Sequence, residues 1–347
     1  TQTADSKPTD KTSNSSRYVS GNTAMALGLY EFAKKSNLKL FMAGYPITPA
    51  TSLYQDVAAI CDEKVETFQA EDEIAAIGAA LGASYAGSLG ATCTSGPGLS
   101  LMLEIMNLGV MAELPLVIVN VQRAGPSTGL PTKSEQADLL QACYGRHGES
   151  PVIVMAANSP SDGFSTVIEA ANLAVQYMTP VIVLSDGYLS NSAENLSDVL
   201  NTTQGMVPVQ SANFNHDLQN FKAYGRNERT LARPWVLLGT PGFESTTGGL
   251  EKDNPSGAFS QDSENHEVMV HLRQAKIQRA AQDFSPLNIC GPEHGDLLII
   301  GWGSTFGAIR EATLQAQREG FSVSHLHLRH LNPFPLDLEK YLKKASS

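Results

Sequence analysis

Three loops in this 347-residue chain combine residue types that could do chemistry. The first, residues 44–52, reads GYPITPATS, in which two prolines restrict the backbone and expose the hydroxyls of Thr48 and Thr51. It follows an apolar run and precedes a helical one, and open α/β sheets bind ligands at the carboxyl ends of their parallel strands. The alternative is a simple strand-to-helix turn with Thr51 or Ser52 as the N-cap, and position alone leaves both hypotheses open.

An acidic triplet and a second loop follow. Glu71, Asp72 and Glu73 open a stretch of small residues, where the helix dipole alone already favours acids in the first turn. A carboxylate buried against that glycine and alanine face would instead need a hydrogen bond or a proton. The second loop, residues 94–100, reads TSGPGLS, and its glycines predict backbone N–H groups open to a ligand at a helix N-terminus.

The third loop carries cations. Arg123 directly follows the apolar run PLVIVNVQ, and the next residues form a loop that is rich in Gly, Pro, Ser and Thr and carries Lys133. A guanidinium group binds a carboxylate through two parallel hydrogen bonds, although a surface cation would fit the same position. His325, His327 and His330 could suggest a metal, but His325 and His327 share one strand face, which favours a core or interface role.

Composition excludes several classes of function. With 35 acidic and 24 basic residues the formal net charge is -11, which argues against nucleic acid or an anionic membrane as the main partner. No apolar run reaches the roughly 18 residues of a membrane span. The four cysteines stand far apart without a CxxC pair, so no zinc knuckle or complete iron–sulfur motif is encoded. They are interpreted as buried thiols of a cytoplasmic protein.

The loops belong to an α/β fold. Over residues 19–185, six runs rich in β-branched residues, from LKLFMAGY to PVIVLS, alternate with helical stretches and predict a parallel sheet under helices. Residues 99–111 are apolar almost all round, which predicts a helix buried on most sides. The glycines and alanines of residues 71–86 predict a helix that packs very closely against another backbone, such as that of a second subunit.

The remaining segments are less regular. Residues 206–285 are interpreted as a connector or insertion that contains an amphipathic helix carrying Val268, Leu272 and Ala275. Residues 1–17 are almost entirely hydrophilic and predict a flexible tail or linker.

The last segment, residues 286–347, predicts the beginning of another α/β domain, with too few strands for a complete sheet. Within it, GWGSTFG has the wrong spacing for a dinucleotide-binding loop. It predicts close packing of a strand on a helix instead.

Taken together, these stretches resemble the α subunit of the thiamine-diphosphate-dependent 2-oxoacid:ferredoxin oxidoreductases. The segments in that family's order are GYPITPATS, QAEDEIAAIGAALGASYAG, TCTSGPGLSLMLE, VQRAGPSTGLPTKSEQADL, YGRHGESP and LRHLNPFP. Among them, GPSTGLPTK, GRHGE and HLRHLNPFP look most like the 2-oxoglutarate branch. The resemblance implies that residues 18–205 face the aminopyrimidine of thiamine diphosphate and that residues 286–347 begin a transketolase C-terminal-like domain.

The resemblance also implies roles for single residues. Glu73 matches the carboxylate that hydrogen-bonds the cofactor ring nitrogen, so that the exocyclic nitrogen can act as a base. Thr48 matches the hydroxyl that contacts the 2-oxoacid, and Arg123 matches the arginine that binds its carboxylate. Further cofactor contacts are implied for Tyr45, Pro46, Ile47, Ser95, Gly96 and Gly98. The distal carboxylate of 2-oxoglutarate requires another cation, for which the candidates are Lys133, Arg146 and His147.

One motif of thiamine enzymes is missing from this sequence, and its absence implies a partner subunit. The diphosphate-and-metal motif of thiamine enzymes, GDG followed by Asn, has no match, which implies that a β subunit holds Mg²⁺, the diphosphate and the [4Fe-4S] cluster. No metal site is expected in this chain, which would be inactive without that subunit in an α2β2 assembly. The implied reaction converts 2-oxoglutarate and coenzyme A to succinyl-CoA with ferredoxin as electron acceptor, or the reverse. The alternatives are pyruvate or a branched-chain 2-oxoacid as substrate, and a non-catalytic scaffold subunit.

Overall fold

A computed structural model describes residues 18–195 and 208–344. The strands are β1 (Tyr18–Ser20), β2 (Leu40–Gly44), β3 (Val65–Gln69), β4 (Leu89–Thr94), β5 (Leu116–Gln122), β6 (Ile153–Ala156), β7 (Pro180–Asp186), β8 (Ala193–Asn195), β9 (Ile289–Cys290), β10 (Leu297–Trp302), β11 (Val323–Leu328) and β12 (His330–Asn332). The α-helices are α1 (Gly21–Lys35), α2 (Thr51–Ala59), α3 (Glu73–Tyr85), α4 (Gly96–Ala112), α5 (Leu139–Tyr144), α6 (Asp162–Tyr177), α7 (Gly187–Asn191), α8 (Ser263–Ala280), α9 (Phe306–Arg318) and α10 (Leu338–Lys344).

A seven-stranded sheet in the order β12-β6-β7-β5-β4-β2-β3 holds the loops that carry the candidate residues. The strands from β2 to β7 are parallel, and only β12 pairs antiparallel, with β6. All six predicted strands of residues 19–185 are therefore confirmed. Their apolar runs are nearly continuous because helices cover both faces of the sheet.

The period of two along β5 divides the core between those faces. Val117, Val119 and Val121 pack with α1, α2 and α6. Leu116 and Ile118 pack with α3, α4 and α5. Odd-numbered and even-numbered residues of β5 therefore face opposite sides, so Asn120 and Gln122 at the end of the strand lie on the same face as Leu116 and Ile118.

Helices α3 and α4 largely follow their predictions. Ser100, Leu101 and Glu104 of α4 are exposed, whereas the other ten of residues 99–111 are buried or half-buried, so burial of this helix on most sides is confirmed. The predicted close approach to α3 occurs at Gly90 of β4, where an added Cβ would lie 2.0 Å from the Ala80 carbonyl oxygen. Gly78 and Gly82 on the opposite side of α3 instead face open space.

The connector is mostly irregular until α8, and the predicted apolar face of that helix is wrong at Val268, which is 46% exposed. Leu272 and Ala275 are half-buried, and Leu272 packs in a small core cluster with Met269. The fully buried positions are Met269, Arg273, Lys276, Ile277 and Ala280. The reason is electrostatic: the Lys276 ammonium group lies 2.8 Å from the Glu113 carboxylate at the end of α4. Buried charges thus orient this helix, and the apolar periodicity could not reveal them.

The predicted strand, helix and strand of the last segment are present as β10, α9 and β11. They form a small sheet in the order β10-β11-β9, while β12 joins the large sheet. Close strand–helix packing within GWGSTFG is confirmed, because a Cβ on Gly301 would lie 2.4 Å from Cδ1 of Ile309. The predicted tail of residues 1–17 lies outside the described residues, and the division of the chain into domains stays a prediction.

The four cysteines are free thiols, but they are not all buried as predicted. Cys93 and Cys143 are buried, whereas Cys61 is exposed and Cys290 is partly exposed. Cys61 follows α2, and Cys290 lies in the short strand β9, so helices on both faces of the large sheet cover neither of these thiols.

No helix within residues 18–195 and 208–344 combines the length and apolar character needed to cross a membrane.

Candidate functional site at the carboxyl edge of the sheet

The loops that follow β2, β4 and β5 meet at one edge of the sheet. These strands are neighbours and parallel, and paired strands lie about 4.8 Å apart. The three candidate loops noted in the sequence therefore emerge side by side. The acidic triplet follows β3, on the other side of β2, and reaches the same edge.

The structure distinguishes the members of that triplet. Asp72 is the N-cap of α3, and its Oδ1 accepts a hydrogen bond from the Ala75 backbone N–H at 2.7 Å. Glu71 is exposed, whereas Glu73 is only 6% exposed. Within residues 18–195 and 208–344, no hydrogen bond or ion pair reaches the Glu73 carboxylate. A carboxylate in this position gains strongly from any donor brought to it.

Gly98, in the first turn of α4, lies directly against that carboxylate. A Cβ at this position would lie 2.0 Å from Oγ1 of Thr94 and 2.8 Å from Oε1 of Glu73. Only glycine fits, so the start of α4 and the start of α3 converge around Glu73. The Ser95 hydroxyl is buried nearby in sequence and has no hydrogen-bond partner among the described residues.

The proline loop after β2 is held by its carbonyl groups. Nη1 of Arg123 donates to the Thr48 carbonyl oxygen at 2.7 Å, and Nδ2 of Asn22 donates to the Pro49 carbonyl oxygen at 2.9 Å. The N-cap hypothesis for Thr51 or Ser52 is wrong, because Ala50 takes that position without a side-chain hydrogen bond.

The remaining residues of this loop are accessible to different extents. Tyr45 and Pro46 are exposed, Ile47 is half-buried, and Thr48 is exposed. Apolar side chains and a hydroxyl thus line the edge of the sheet beside Arg123.

Arg123 keeps part of its guanidinium group free. Its Nη1 is used for the Thr48 carbonyl oxygen, whereas its Nε is buried and has no partner among the described residues. No hydrogen bond to Nη2 is made within the described residues, so this terminal nitrogen is available to a carboxylate oxygen.

The three candidate cations for a distal carboxylate have different surroundings. Lys133 is exposed and makes no ion pair within the described parts of the chain. Arg146 donates to the carbonyl oxygens of Ala142, Cys143 and Ser150 at 2.8 to 2.9 Å, and burial lowers its pKa to about 10.

His147 is exposed, with Nδ1 lying 2.8 Å from Nδ2 of Asn107. Within the described residues, no hydrogen bond or ion pair joins the side chain of any of the three candidate cations to Arg123. The structure joins Arg123 to Thr48 and Glu73 to Gly98, and it brings the backbone of Lys133 next to the first pair, because the Ala124 N–H donates to the Lys133 carbonyl oxygen at 2.9 Å.

A polar group that the sequence analysis missed lies beneath the start of α4. The Asp138 carboxylate accepts hydrogen bonds from the side-chain amides of Asn120, at 2.7 Å, and of Gln122. Oδ2 of Asp138 would lie 3.2 Å from a Cβ on Gly96, the first residue of α4. Two amides at alternate positions in an otherwise apolar strand, VIVNVQ, were the available signal, since buried amides need partners.

His325, His327 and His330 of the last segment are buried or half-buried, and their structural role stays a prediction. Nε2 of His325 lies 3.2 Å from Nδ1 of His327, whose Nε2 lies 3.0 Å from the Gly303 carbonyl oxygen. Burial lowers the pKa of His327 to about 4. His330 lies 2.6 Å from Glu169 and stacks on Phe284. Within the described residues, no group of three or more His, Cys, Asp or Glu side chains could hold a metal ion.

Comparison with known proteins decides the family. Residues 33–259 match the family model for the thiamine diphosphate-binding region of pyruvate flavodoxin/ferredoxin oxidoreductases. The chain belongs to this family. The matched segment includes every loop of the sheet edge described above, and membership confirms the resemblance found in the sequence.

Relatives of this oxidoreductase family cover nearly the whole chain. The 2-oxoglutarate oxidoreductase subunit KorA of Mycobacterium tuberculosis is 49% identical over 331 residues, which are 94% of this chain and 50% of that protein. The 2-oxoglutarate synthase subunit KorA of Archaeoglobus fulgidus is 36% identical over 88% of this chain and 80% of that protein. The chain thus spans about half the length of the mycobacterial relative.

Solved structures agree with the fold of the family. The 2-oxoglutarate:ferredoxin oxidoreductase from Magnetococcus marinus, solved with 2-oxoglutarate, coenzyme A and succinyl-CoA bound, matches with a TM-score of 0.86 and 36% identity. That match covers 96% of this chain and 57% of the other. A split-gene transketolase matches with a TM-score of 0.51 at 13% identity, which is a likeness of fold alone.

Proposed function

We propose that this chain is the α subunit of an oxidoreductase that converts 2-oxoglutarate and coenzyme A to succinyl-CoA and carbon dioxide and passes the electrons to ferredoxin, or runs the reverse carboxylation. The observation that carries the proposal is the buried Glu73 carboxylate, which has no donor among the described residues and lies against Gly98. Support for the substrate comes from the relatives named for 2-oxoglutarate, of which the mycobacterial one is 49% identical.

The residues at this edge fit thiamine diphosphate. Glu73 would share a proton with a ring nitrogen of the cofactor, and when the nitrogen carries that proton, its N–H is the donor that the Glu73 carboxylate lacks among the described residues. The cofactor when bound supplies a nucleophilic carbon and an electron sink for decarboxylation. The further contacts proposed are Tyr45, Pro46, Ile47, Ser95, Gly96 and Gly98. Among them, Gly98 leaves room beside Glu73 that any other residue would fill.

Arg123 and Thr48 would orient the substrate. The bond from Nη1 of Arg123 to the Thr48 carbonyl oxygen holds the guanidinium plane, so that Nη2 can donate to the carboxylate next to the keto group. The exposed Thr48 hydroxyl would donate to the same end of the 2-oxoacid. For the distal carboxylate we favour Lys133 over Arg146 and His147, because the Arg146 guanidinium is already engaged by three carbonyl groups.

The partners form part of the proposal. A β subunit would hold Mg²⁺, the diphosphate and a [4Fe-4S] cluster, because this sequence has neither the GDG motif nor clustered cysteines. The relatives are themselves named as subunits, which supports an assembly. An α2β2 stoichiometry and a cytoplasmic location complete the proposal.

The test is viologen reduction by the complex of this chain with its β subunit, supplied with thiamine diphosphate, Mg²⁺ and coenzyme A. We expect turnover with 2-oxoglutarate well above that with pyruvate. Preference for pyruvate or a branched-chain 2-oxoacid would keep the chemistry and overturn the substrate. No turnover from a complex shown to carry cofactor and clusters would favour a scaffold role.

A further inference from the structure

Asp138 connects three parts of the candidate site. It follows the loop that begins at Arg123 and carries Lys133, and its carboxylate lies against Gly96 at the start of α4. Its two hydrogen-bond donors, Asn120 and Gln122, are side chains of β5 that are 0% and 1% exposed. One carboxylate therefore fastens the far end of the loop to the centre of the sheet.

The near end of the loop is fastened separately. The Ala124 N–H donates to the Lys133 carbonyl oxygen at 2.9 Å, and the Leu130 N–H donates to the Ala124 carbonyl oxygen at 3.0 Å. These bonds shape residues 124–133, but they do not attach Lys133 to the sheet. After Lys133, the described side-chain attachments of the segment to other elements are those of Gln136 to the Trp302 carbonyl oxygen and of Asp138 to β5.

The contacts of Asp138 favour a role in positioning over a role in charge. Both of its donors are neutral amides, and no cation pairs with it among the described residues. The sheet supplies two buried donors at this point, each of which loses a partner if the carboxylate is removed.

We propose that Asp138 is a positioning residue for the substrate-binding loop, residues 123–138, and that it sets the affinity for the 2-oxoacid through Lys133. This inference rests on the proposed function. It assigns Asp138 no contact with substrate or cofactor. Its effect should be larger for a substrate with a distal carboxylate than for pyruvate.

The experiment compares Asp138→Ala, Asp138→Asn and Glu104→Ala in the assembled complex. Asp138→Ala leaves two buried amides unpaired, so we expect the KM for 2-oxoglutarate to rise about tenfold, with a smaller rise for pyruvate and kcat within about threefold. Asp138→Asn should stay close to wild type, because the Gln122 amide can rotate and present its oxygen to the new amide group. Glu104→Ala is the matched control, since this exposed carboxylate lies outside the loop and makes no hydrogen bond or ion pair within the described residues.

Hydrogen–deuterium exchange provides a second measurement that does not depend on turnover. Asp138→Ala should speed exchange within residues 124–138 relative to wild type and Asp138→Asn. If wild type does not use 2-oxoglutarate, the proposed function fails while the exchange result still tests Asp138. An unchanged KM together with unchanged exchange in Asp138→Ala would overturn the inference. So would equal effects of the Ala and Asn variants, which would indicate charge rather than position.

Discussion

Helix α4 has a buried carboxylate near each end, and the two have opposite surroundings. Near the first residues of the helix, Glu73 is 6% exposed and has no donor among the described residues. Beyond the last residue, Glu113 is 1% exposed, and both of its oxygens lie 2.6 Å from Nη1 of Arg226. Lys276 adds a third contact at 2.8 Å. Burial is therefore common to both carboxylates, and the difference lies in their partners.

The two carboxylates differ in whether charged partners compensate their burial. Burial alone would raise the pKa of Glu113, but Lys276 and Arg226 outweigh it and lower this pKa to about 2. Both cations come from the connector, so the ion cluster fastens residues 208–280 to the end of α4. Glu73, which is 6% exposed, has no such partners among the described residues, so its carboxylate is left to gain from a donor that a ligand brings.

The largest effect is expected for Glu73→Gln. Loss of the acid that would activate the cofactor should reduce kcat of the assembled complex by at least about a hundredfold. The free energy of unfolding should not fall, because a neutral amide is cheaper to bury than an unpaired carboxylate. Viologen reduction and urea unfolding measure the two quantities. Full turnover by the variant would refute the catalytic role.

The converse is expected for Glu113→Gln. Arg226 and Lys276 would remain buried without their counter-charge, which should lower the free energy of unfolding by about 3 to 5 kcal/mol. Urea unfolding of the purified chain measures this change. Glu104→Gln is the control on the same helix, because Glu104 is exposed, and a shift of at most about 0.5 kcal/mol is expected there. Equal stability of the two variants would contradict the comparison.

Acid should weaken the ion cluster around Glu113, beyond the last residue of α4. The folded-state pKa of Glu113 lies below its ordinary value of 4.5, at about 2, so its contribution is present above pH 4.5 and is lost as the pH falls towards 2. The loss amounts to at most about 3 kcal/mol. The urea midpoint measured between pH 6 and 3 should therefore fall less steeply in Glu113→Gln than in wild type. Parallel curves would show that Glu113 is not held ionised by its partners.

The smallest effects come from a pair of glycines. Gly98→Ala would bring a methyl group against Thr94 and the Glu73 carboxylate, so a loss of about 1 to 3 kcal/mol in unfolding free energy and weaker cofactor binding are expected. A methyl group in Gly82→Ala would meet no described residue within 4 Å, so this variant should gain up to about 1 kcal/mol in unfolding free energy through helix propensity. Thermal unfolding with and without thiamine diphosphate measures both variants. The same response from both would remove the argument for a crowded pocket.

The local pattern of apolar and polar residues was enough to predict much of the architecture. The β-branched runs predicted the parallel strands, because strands buried on both faces must be apolar throughout. Spacing also led to GYPITPATS, TSGPGLS and the Arg123 loop, which emerge at one edge of the sheet, and the family resemblance singled out Glu73 from its acidic neighbours. The role of each site residue stays a prediction.

The local pattern could not predict contacts between residues that are far apart in the sequence. The hydrogen bond from Arg123 to the Thr48 carbonyl group joins positions 75 residues apart, and Lys276 meets Glu113 across 163 residues. For the same reason, the buried face of α8 was assigned to Val268 instead of Lys276. The sequence by itself determined which strands form and which loops carry polar groups, because these depend on local periodicity and turn chemistry. Only the tertiary structure decided which buried charges are paired, because pairing depends on which distant cation folding brings within reach.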